Sequence, residues 1–126
     1  MTKTTTRDQG MHAELACCEY LKNQGLKFLQ KNFRGRQGEI DLIMLDKKTL
    51  VFVEVRYRKN NDYGGALASI TPLKQRHILA TAEFFLQQHP QYKNARIDVV
   101  GMSKKPDNDA CDTSDEYNYE WIKNAF

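Results

Sequence analysis

The sequence predicts a mixed α/β (α+β) domain, and three observations carry that prediction. Two runs rich in Ile, Val, Leu and Phe, residues 39–45 and 50–58, flank the short polar link Asp46-Lys47-Lys48-Thr49, as a β-hairpin requires. Helix-type spacing of apolar residues stands on either side of that hairpin. A further strand-like run, residues 96–102, follows the second helix. The order is α-β-β-β-α-β with a possible C-terminal strand at 117–122, which is a mixed sheet with helices packed on it. At 126 residues and 40% hydrophobic content, the chain supports one core, so residues 1–126 are expected to form a single domain.

Residues 8–24 read as helix because Met11, Leu15, Cys18 and Leu21 recur at steps of three and four, so this stripe is the expected buried face. Gly25 is a suitable stop, and Leu26 can fold back as its hydrophobic partner. Residues 27–33 form the expected first strand, and Arg34-Gly35-Arg36-Gln37-Gly38 a loop. After the hairpin, residues 59–69 are polar and contain Gly64-Gly65, which predicts a mobile loop. Thr71 is the expected N-cap of the second helix, and Pro72 suits its first position. That helix runs to about His89 before Pro90, with Ile78, Ala82 and Phe85 buried. Phe84 and Leu86 are also expected to pack in the core or against the helix, and Trp121 to close the core edge. Residues 103–116 are a polar insertion, expected to be disordered.

Composition excludes several classes. No apolar run approaches the ~18 residues of a membrane span. The polar opening Met1-Thr2-Lys3-Thr4 has no apolar signal core, and three cysteines without a C-x-x-C pattern argue against a disulfide scaffold or zinc. The expected location is cytoplasmic. The net charge of +3 hides an asymmetry: residues 107–126 hold six acids and one base, net −5, which leaves +8 on the first 106. Residues 20–38 carry Lys22, Lys27, Lys31, Arg34 and Arg36 and no acid. From charge alone, a polyanion-binding face and a solvated basic face are equal readings.

The chemistry is expected in the hairpin. A symmetric link pairs Leu45 with Leu50, so facing positions sum to 95: Ile43 faces Phe52, Asp41 faces Glu54 and Glu39 faces Arg56, all on one side of the sheet. The other side, Ile40, Leu42 and Met44 against Val51, Val53 and Val55, is uniformly apolar and is expected to be core. Two facing carboxylates repel one another unless a shared proton, a nearby Arg or Lys, or a divalent cation relieves them. Mg²⁺ suits such a pair, since it takes oxygen ligands, often one or two carboxylates, with water and phosphate completing its shell. Mn²⁺ is the alternative ion. An ion so held serves phosphodiester hydrolysis.

The motifs Gly38-Glu39-Ile40-Asp41-Leu42 and Phe52-Val53-Glu54-Val55-Arg56-Tyr57-Arg58 resemble those of the YraN family of small bacterial proteins. The likeness begins at Gly10-Met11-His12-Ala13-Glu14 and runs through Lys74 and Arg96-Ile97-Asp98-Val99-Val100 to Ala125-Phe126. It implies the restriction-endonuclease-like core of the PD-(D/E)XK nucleases, near archaeal Holliday-junction resolvases, and a nucleic-acid substrate. On that pattern Asp41 takes the place of the first metal-binding Asp and Glu54 that of the second acid, and the resemblance makes Glu14 a third metal-site acid, weighed against a boundary residue that reaches solvent or a neighbouring base. Arg56 stands where the catalytic Lys usually stands, a departure, because an Arg keeps its proton and cannot act as a base. Glu39 opposite Arg56 is expected to tie it up in an ion pair. Lys74 offers an ammonium from another direction, weighed against an ordinary solvated helix Lys.

Basic residues flank the acid pair at both ends, Arg34 and Arg36 before it and Arg58 and Lys59 after it, as positions for backbone phosphates. Asp98 is expected to be structural, paired with Arg96, and His12, His77 and His89 to be surface or satisfied histidines. No base-reading motif is visible, so binding by DNA shape is expected. Three functions follow: a metal-dependent endonuclease for branched or damaged DNA, a non-catalytic nucleic-acid-binding module on the same fold, and a protein-interaction domain with a basic face. A homodimer is compatible with the first, since a junction offers two equivalent strands.

Overall fold

The computed structural model describes residues 6–58, 65–105 and 116–126. The chain forms α1 (Thr6–Asn23), β1 (Lys27–Arg34), β2 (Glu39–Asp46), β3 (Thr49–Arg58), α2 (Gly65–Ala68), α3 (Pro72–Gln88), β4 (Asn94–Lys104) and β5 (Tyr117–Ile122). The five strands lie in sequence order in one sheet. Every neighbouring pair is antiparallel except β3 and β4, which are parallel. Parallel neighbours need a crossover, and α2 and α3 supply it. The fold is a mixed α+β domain of three layers, with α1 on one face of the sheet and α2 and α3 on the other.

Helix α1 ends as expected: Gly25 takes φ 102°, its N–H donates to Lys22, and the Leu26 N–H donates to Leu21 O while Leu26 is buried. The buried face of α1 differs from the expected stripe. Ala13, Ala16, Cys17 and Leu21 face the sheet, against Leu42, Met44, Val51 and Val53, whereas Met11 and Leu15 are 52% and 56% exposed. Three small residues let the helix approach the strands closely, and the longer side chains two positions away turn outward.

Helix α3 follows its sequence signals. The Thr71 hydroxyl accepts the Lys74 N–H at 3.1 Å, Pro72 opens the helix, and Ile78, Ala82 and Phe85 are buried. Phe84 is largely exposed, though it stacks on Phe33. Residues 65–70 correct the expectation of a mobile loop. Residues 65–68 form α2, and Ala66 and Ile70 are buried. Gly101 on β4 makes room for it, since a Cβ there would stand 2.6 Å from Ala66 Cβ. Residues 59–64 lie outside the described residues. The expected insertion is shorter at both ends: Ser103 and Lys104 belong to β4, and Lys105 N–H donates to Glu116 O at 2.9 Å. Residues 106–115 lie outside the described residues.

The hairpin register is the one the sequence predicts from Asp46–Thr49 to Leu42–Val53. Beyond it two expectations change. The face holding Ile43 and Phe52 is buried too, beneath α3, and Ile40 joins that core rather than the one beneath α1. Alternation along β2 is interrupted between Ile40 and Leu42, which fall in different cores, and β1 carries Asn32 in the left-handed region (φ 55°) opposite this point. Asp41 sits at this interruption.

Candidate functional site

The site forms where the β2–β3 ladder gives way. Past the Leu42–Val53 pair, the Asp41 carboxylate accepts the Val55 N–H at 2.8 Å, so a side chain of β2 occupies the hydrogen-bonding edge of β3. The Asp41 and Glu54 carboxyl groups are hydrogen-bond partners of one another. Glu54 is 4% exposed. Burial raises the Glu54 carboxyl to about 8, with the Asp41 charge adding to the shift, while Lys74 and Arg56 oppose it. Burial also raises Asp41, and the Val55 N–H and the bond with Glu54 hold it down. A bond between two carboxyls requires one proton held between them, which relieves their like-charge repulsion.

Two cations approach the same oxygen. Arg56 Nη1 stands 3.7 Å and Lys74 Nζ 3.9 Å from Glu54 Oε2. The guanidinium is fixed from the other side, Nε donating to Ser69 Oγ at 3.0 Å and Nη2 to Ser69 O at 3.3 Å. Ser69 is itself held by its hydroxyl bond to Ala66 O. Arg56 is therefore engaged by Glu54 and Ser69, not by Glu39 as the extrapolated register predicts. Glu39 pairs with Arg34 of β1 across 3.9 Å.

Glu14 joins this group from α1. Burial raises its carboxyl to about 7, the charges of Asp41 and Glu39 add to the rise, and Lys31 opposes it. The Asn32 amide, with its nitrogen turned toward the acids, donates to Glu14 Oε1 and Glu39 Oε1, each at 3.2 Å. Nothing in the sequence singled out Ser69. Asn32 carried a faint signal, as an Asn interrupting a strand, because Asn tolerates the left-handed region.

Of the remaining sequence candidates, Arg34 lies highly exposed at the end of β1. Arg58 lies with Arg56 along a cleft of about 120 Å³ that also touches Ser103 and Asn118. Arg36 is not brought to the acid pair. It lies beside Ala80, Thr81 and Phe84, about 10 Å farther along α3 than Lys74 at the helical rise. Lys59 lies outside the described residues. Asp98 is structural, as expected: fully buried, it accepts from Arg96 Nε (3.0 Å), Trp121 Nε1 (2.9 Å) and the Asn124 N–H (2.9 Å).

Among the described residues, no three His, Cys, Asp or Glu side chains are gathered closely enough to cage a metal ion by themselves. The donor set still suits one class of ion. Two adjoining carboxyls that burial drives toward neutrality offer hard oxygens at a point where a divalent charge relieves their repulsion. One or two carboxylates, completed by water and phosphate, is the usual protein share of a Mg²⁺ site. No helix of the described residues is long and apolar enough to cross a membrane.

A mixed α+β sheet domain with a carboxyl pair, Glu54 buried and Asp41 half-buried, and two cations at the mouth of a splayed hairpin is the class these features define. The chain belongs to the uncharacterised protein family UPF0102, whose family pattern matches residues 13–102. It is 45% identical to a UPF0102 protein of Alcanivorax borkumensis over 95% of this chain and 92% of that protein. A Coxiella burnetii UPF0102 protein is 48% identical over the same shares, and one from Nitrosococcus oceani is 43% identical over 100% and 97%.

Proposed function

We propose that the protein is a metal-dependent endonuclease of the PD-(D/E)XK type, built on a restriction-endonuclease-like core and hydrolysing phosphodiester bonds in branched or damaged DNA. The observation that carries this reading is the convergence of the Asp41 and Glu54 carboxyls with Arg56 and Lys74 reaching Glu54 from separate elements. Asp41 and Glu54 would hold Mg²⁺ or Mn²⁺, with Glu14 as the third acid of the set. Such an ion, when bound, supplies Lewis acidity toward a phosphoryl oxygen and lowers the pKa of water.

The chain's own residues do the remaining work. Arg56, always protonated and braced by Ser69, holds a phosphate oxygen in a fixed orientation. Lys74 brings an ammonium to the same place, where the departure from Lys at position 56 would otherwise leave none. Arg34, Arg58 and Lys59 hold neighbouring phosphates without reading bases, so the substrate is selected by backbone shape.

The test is cleavage of junction, flap, single-stranded and duplex DNA with Mg²⁺ and with Mn²⁺. Cleavage that needs a metal and disappears in Asp41→Ala and Glu54→Ala supports the proposal. All four substrates left intact with both metals would overturn it. A second reading, a non-catalytic nucleic-acid-binding module, is favoured by one observation, the engagement of Arg56 by Ser69 at the position where the PD-(D/E)XK pattern has a Lys. It predicts salt-sensitive binding without cleavage, weakened by Arg34→Ala or Arg58→Ala.

A further inference from the structure

We infer that the groove between α1 and β1 takes one unpaired base of a DNA strand, next to the acid pair. The inference rests on the nucleic-acid substrate proposed above but not on cleavage. The groove encloses about 280 Å³ between Met11, Leu15 and Cys18 of α1 and Phe28 of β1, over Leu42. That is near the lower bound of small-molecule pockets (roughly 300 Å³) and fits one planar ring system better than a helix or a strand. Its walls are the apolar residues that α1 turns away from the core, Met11 (52% exposed) and Leu15 (56%), together with Phe28 (42%). Side chains this apolar and this exposed, gathered along one concavity, mark a contact surface.

The rim selects the occupant. Lys22 and Lys31 border the groove, and they belong to the segment 20–38 that carries five bases and no acid. Glu19 pairs with Lys22 at 3.4 Å, which leaves Lys31 as the stronger anchor. A partner that presents a flat apolar face and an anionic backbone a few ångströms away satisfies both features, and single-stranded nucleic acid has that character. A second copy of the chain does not, because a symmetric contact would bring this basic rim against itself. Edge pairing through β1 is also opposed, by Lys27 and Lys31 and by the irregularity between Phe28 and Gln30.

The groove is continuous with the candidate site. Glu14 and Asn32 line it, and the same Glu14 carboxyl is bonded by the Asn32 amide and feels the charge of Asp41. A base seated here would lie beside the phosphate presented to Asp41 and Glu54. Fully stacked duplex has no base to offer, so the groove would give branched, frayed or gapped DNA its advantage.

The test is binding of the full chain, with a chelator present, to a single strand carrying the fluorescent base aminopurine, to the same strand with an abasic position, and to blunt duplex. Expected are a change in aminopurine emission on binding and a loss of single-strand affinity of roughly 5- to 100-fold in Leu15→Ser and Phe28→Ala, the range for one stacked base. The abasic strand should lose as much with wild type, and duplex affinity should stay within about twofold. Leu15→Met should restore binding. Single-strand affinity unchanged in variants that melt like wild type overturns the inference, as does an equal loss on duplex. A dimer in sedimentation that Leu15→Ser dissolves also overturns it, by giving the groove to a second copy. Protein that cleaves DNA but shows no base dependence rejects the groove alone. Protein that binds no DNA rejects the substrate as well.

Discussion

Lys74 Nζ stands 3.9 Å from Glu54 Oε2, and the two side chains come from different layers of the fold, the first turn of α3 and the centre of β3. The Thr71 cap that starts α3 also fixes Lys74, whose N–H it accepts. If the ammonium works on the reacting phosphate, Lys74→Met should lower single-turnover cleavage by about 10²-fold or more, the usual loss for a group that stabilises developing charge. Its side chain is 43% exposed, so the melting temperature should scarcely move. Arg56→Lys tests the other cation. It keeps the charge but gives up the two-pronged contact with Ser69, and should weaken DNA binding more than it slows a saturated reaction. A Lys74→Met variant that cleaves as fast as wild type would return that role to Arg56.

The acid pair should cost stability in metal-free protein, and the sign can be derived. The Glu54 carboxyl rises from the ordinary 4.5 to about 8 on folding, so the folded chain binds a proton that the unfolded chain releases. That contribution is complete below about pH 4.5 and is lost as pH rises through about 8. With chelator present, stability should fall across that window. Glu54→Gln, which cannot ionise, should be more stable than wild type at pH 8 by an amount on the order of 1–2 kcal/mol. Denaturant titrations at pH 5 and pH 8 measure it. Added Mg²⁺ should recover the loss in wild type and do little for the variant.

What could be read from sequence was whatever depends on one element at a time. The cap, proline and buried stripe of α3 are local features, and the span of β5 matched the expected 117–122. The hairpin register followed from its short link, and it held as far as Leu42–Val53. Relations between layers were not legible. The apolar pattern of α1 fits two faces, and close packing on the sheet selected the small one, Ala13, Ala16 and Cys17. Ile40 changed cores where β2 leaves the β3 ladder at Asp41, a break that the pattern of one strand does not announce. Ser69 had no signature, since its role comes from α2, which the polar glycine-rich segment concealed. In the site, the acids were visible as a repulsive pair in one hairpin. The Asn32 bridge between Glu14 and Glu39 required three elements to be placed first.

Asp98 should be the costliest single acid to remove for stability. It is fully buried in β4 and joins three segments: Arg96 on its own strand, Trp121 on β5 and the backbone of Asn124 beyond it. Arg96 in turn reaches Asp46 at 3.1 Å, which ties the hairpin end to the network. Asp98→Ala strands a mostly buried guanidinium and two N–H donors. Breaking a buried pair in this way typically costs about 3–5 kcal/mol. Thermal unfolding measures the loss. The emission of Trp121, the chain's one tryptophan, should shift as its indole N–H loses its acceptor. Retained stability would mean that Asp46 and solvent together satisfy Arg96.

Gly101→Ala tests whether α2 sets the site through Ser69. A Cβ at position 101 would meet Ala66 Cβ at 2.6 Å, which no rotamer change relieves, so α2 must move or the strand must bend. Overpacking of this kind costs about 1–3 kcal/mol. Ser69 follows α2 directly, and its two contacts with Arg56 should loosen as the helix shifts. Cleavage should therefore fall by more than the population of unfolded protein explains, at a temperature well below melting. Ala66→Gly added to Gly101→Ala removes the clash while leaving both backbones in place. The pair should couple favourably, with the double variant regaining stability and activity that either change alone loses. Stability that returns while activity does not would separate the packing of α2 from the positioning of Arg56, and would leave Glu54 alone to orient the guanidinium.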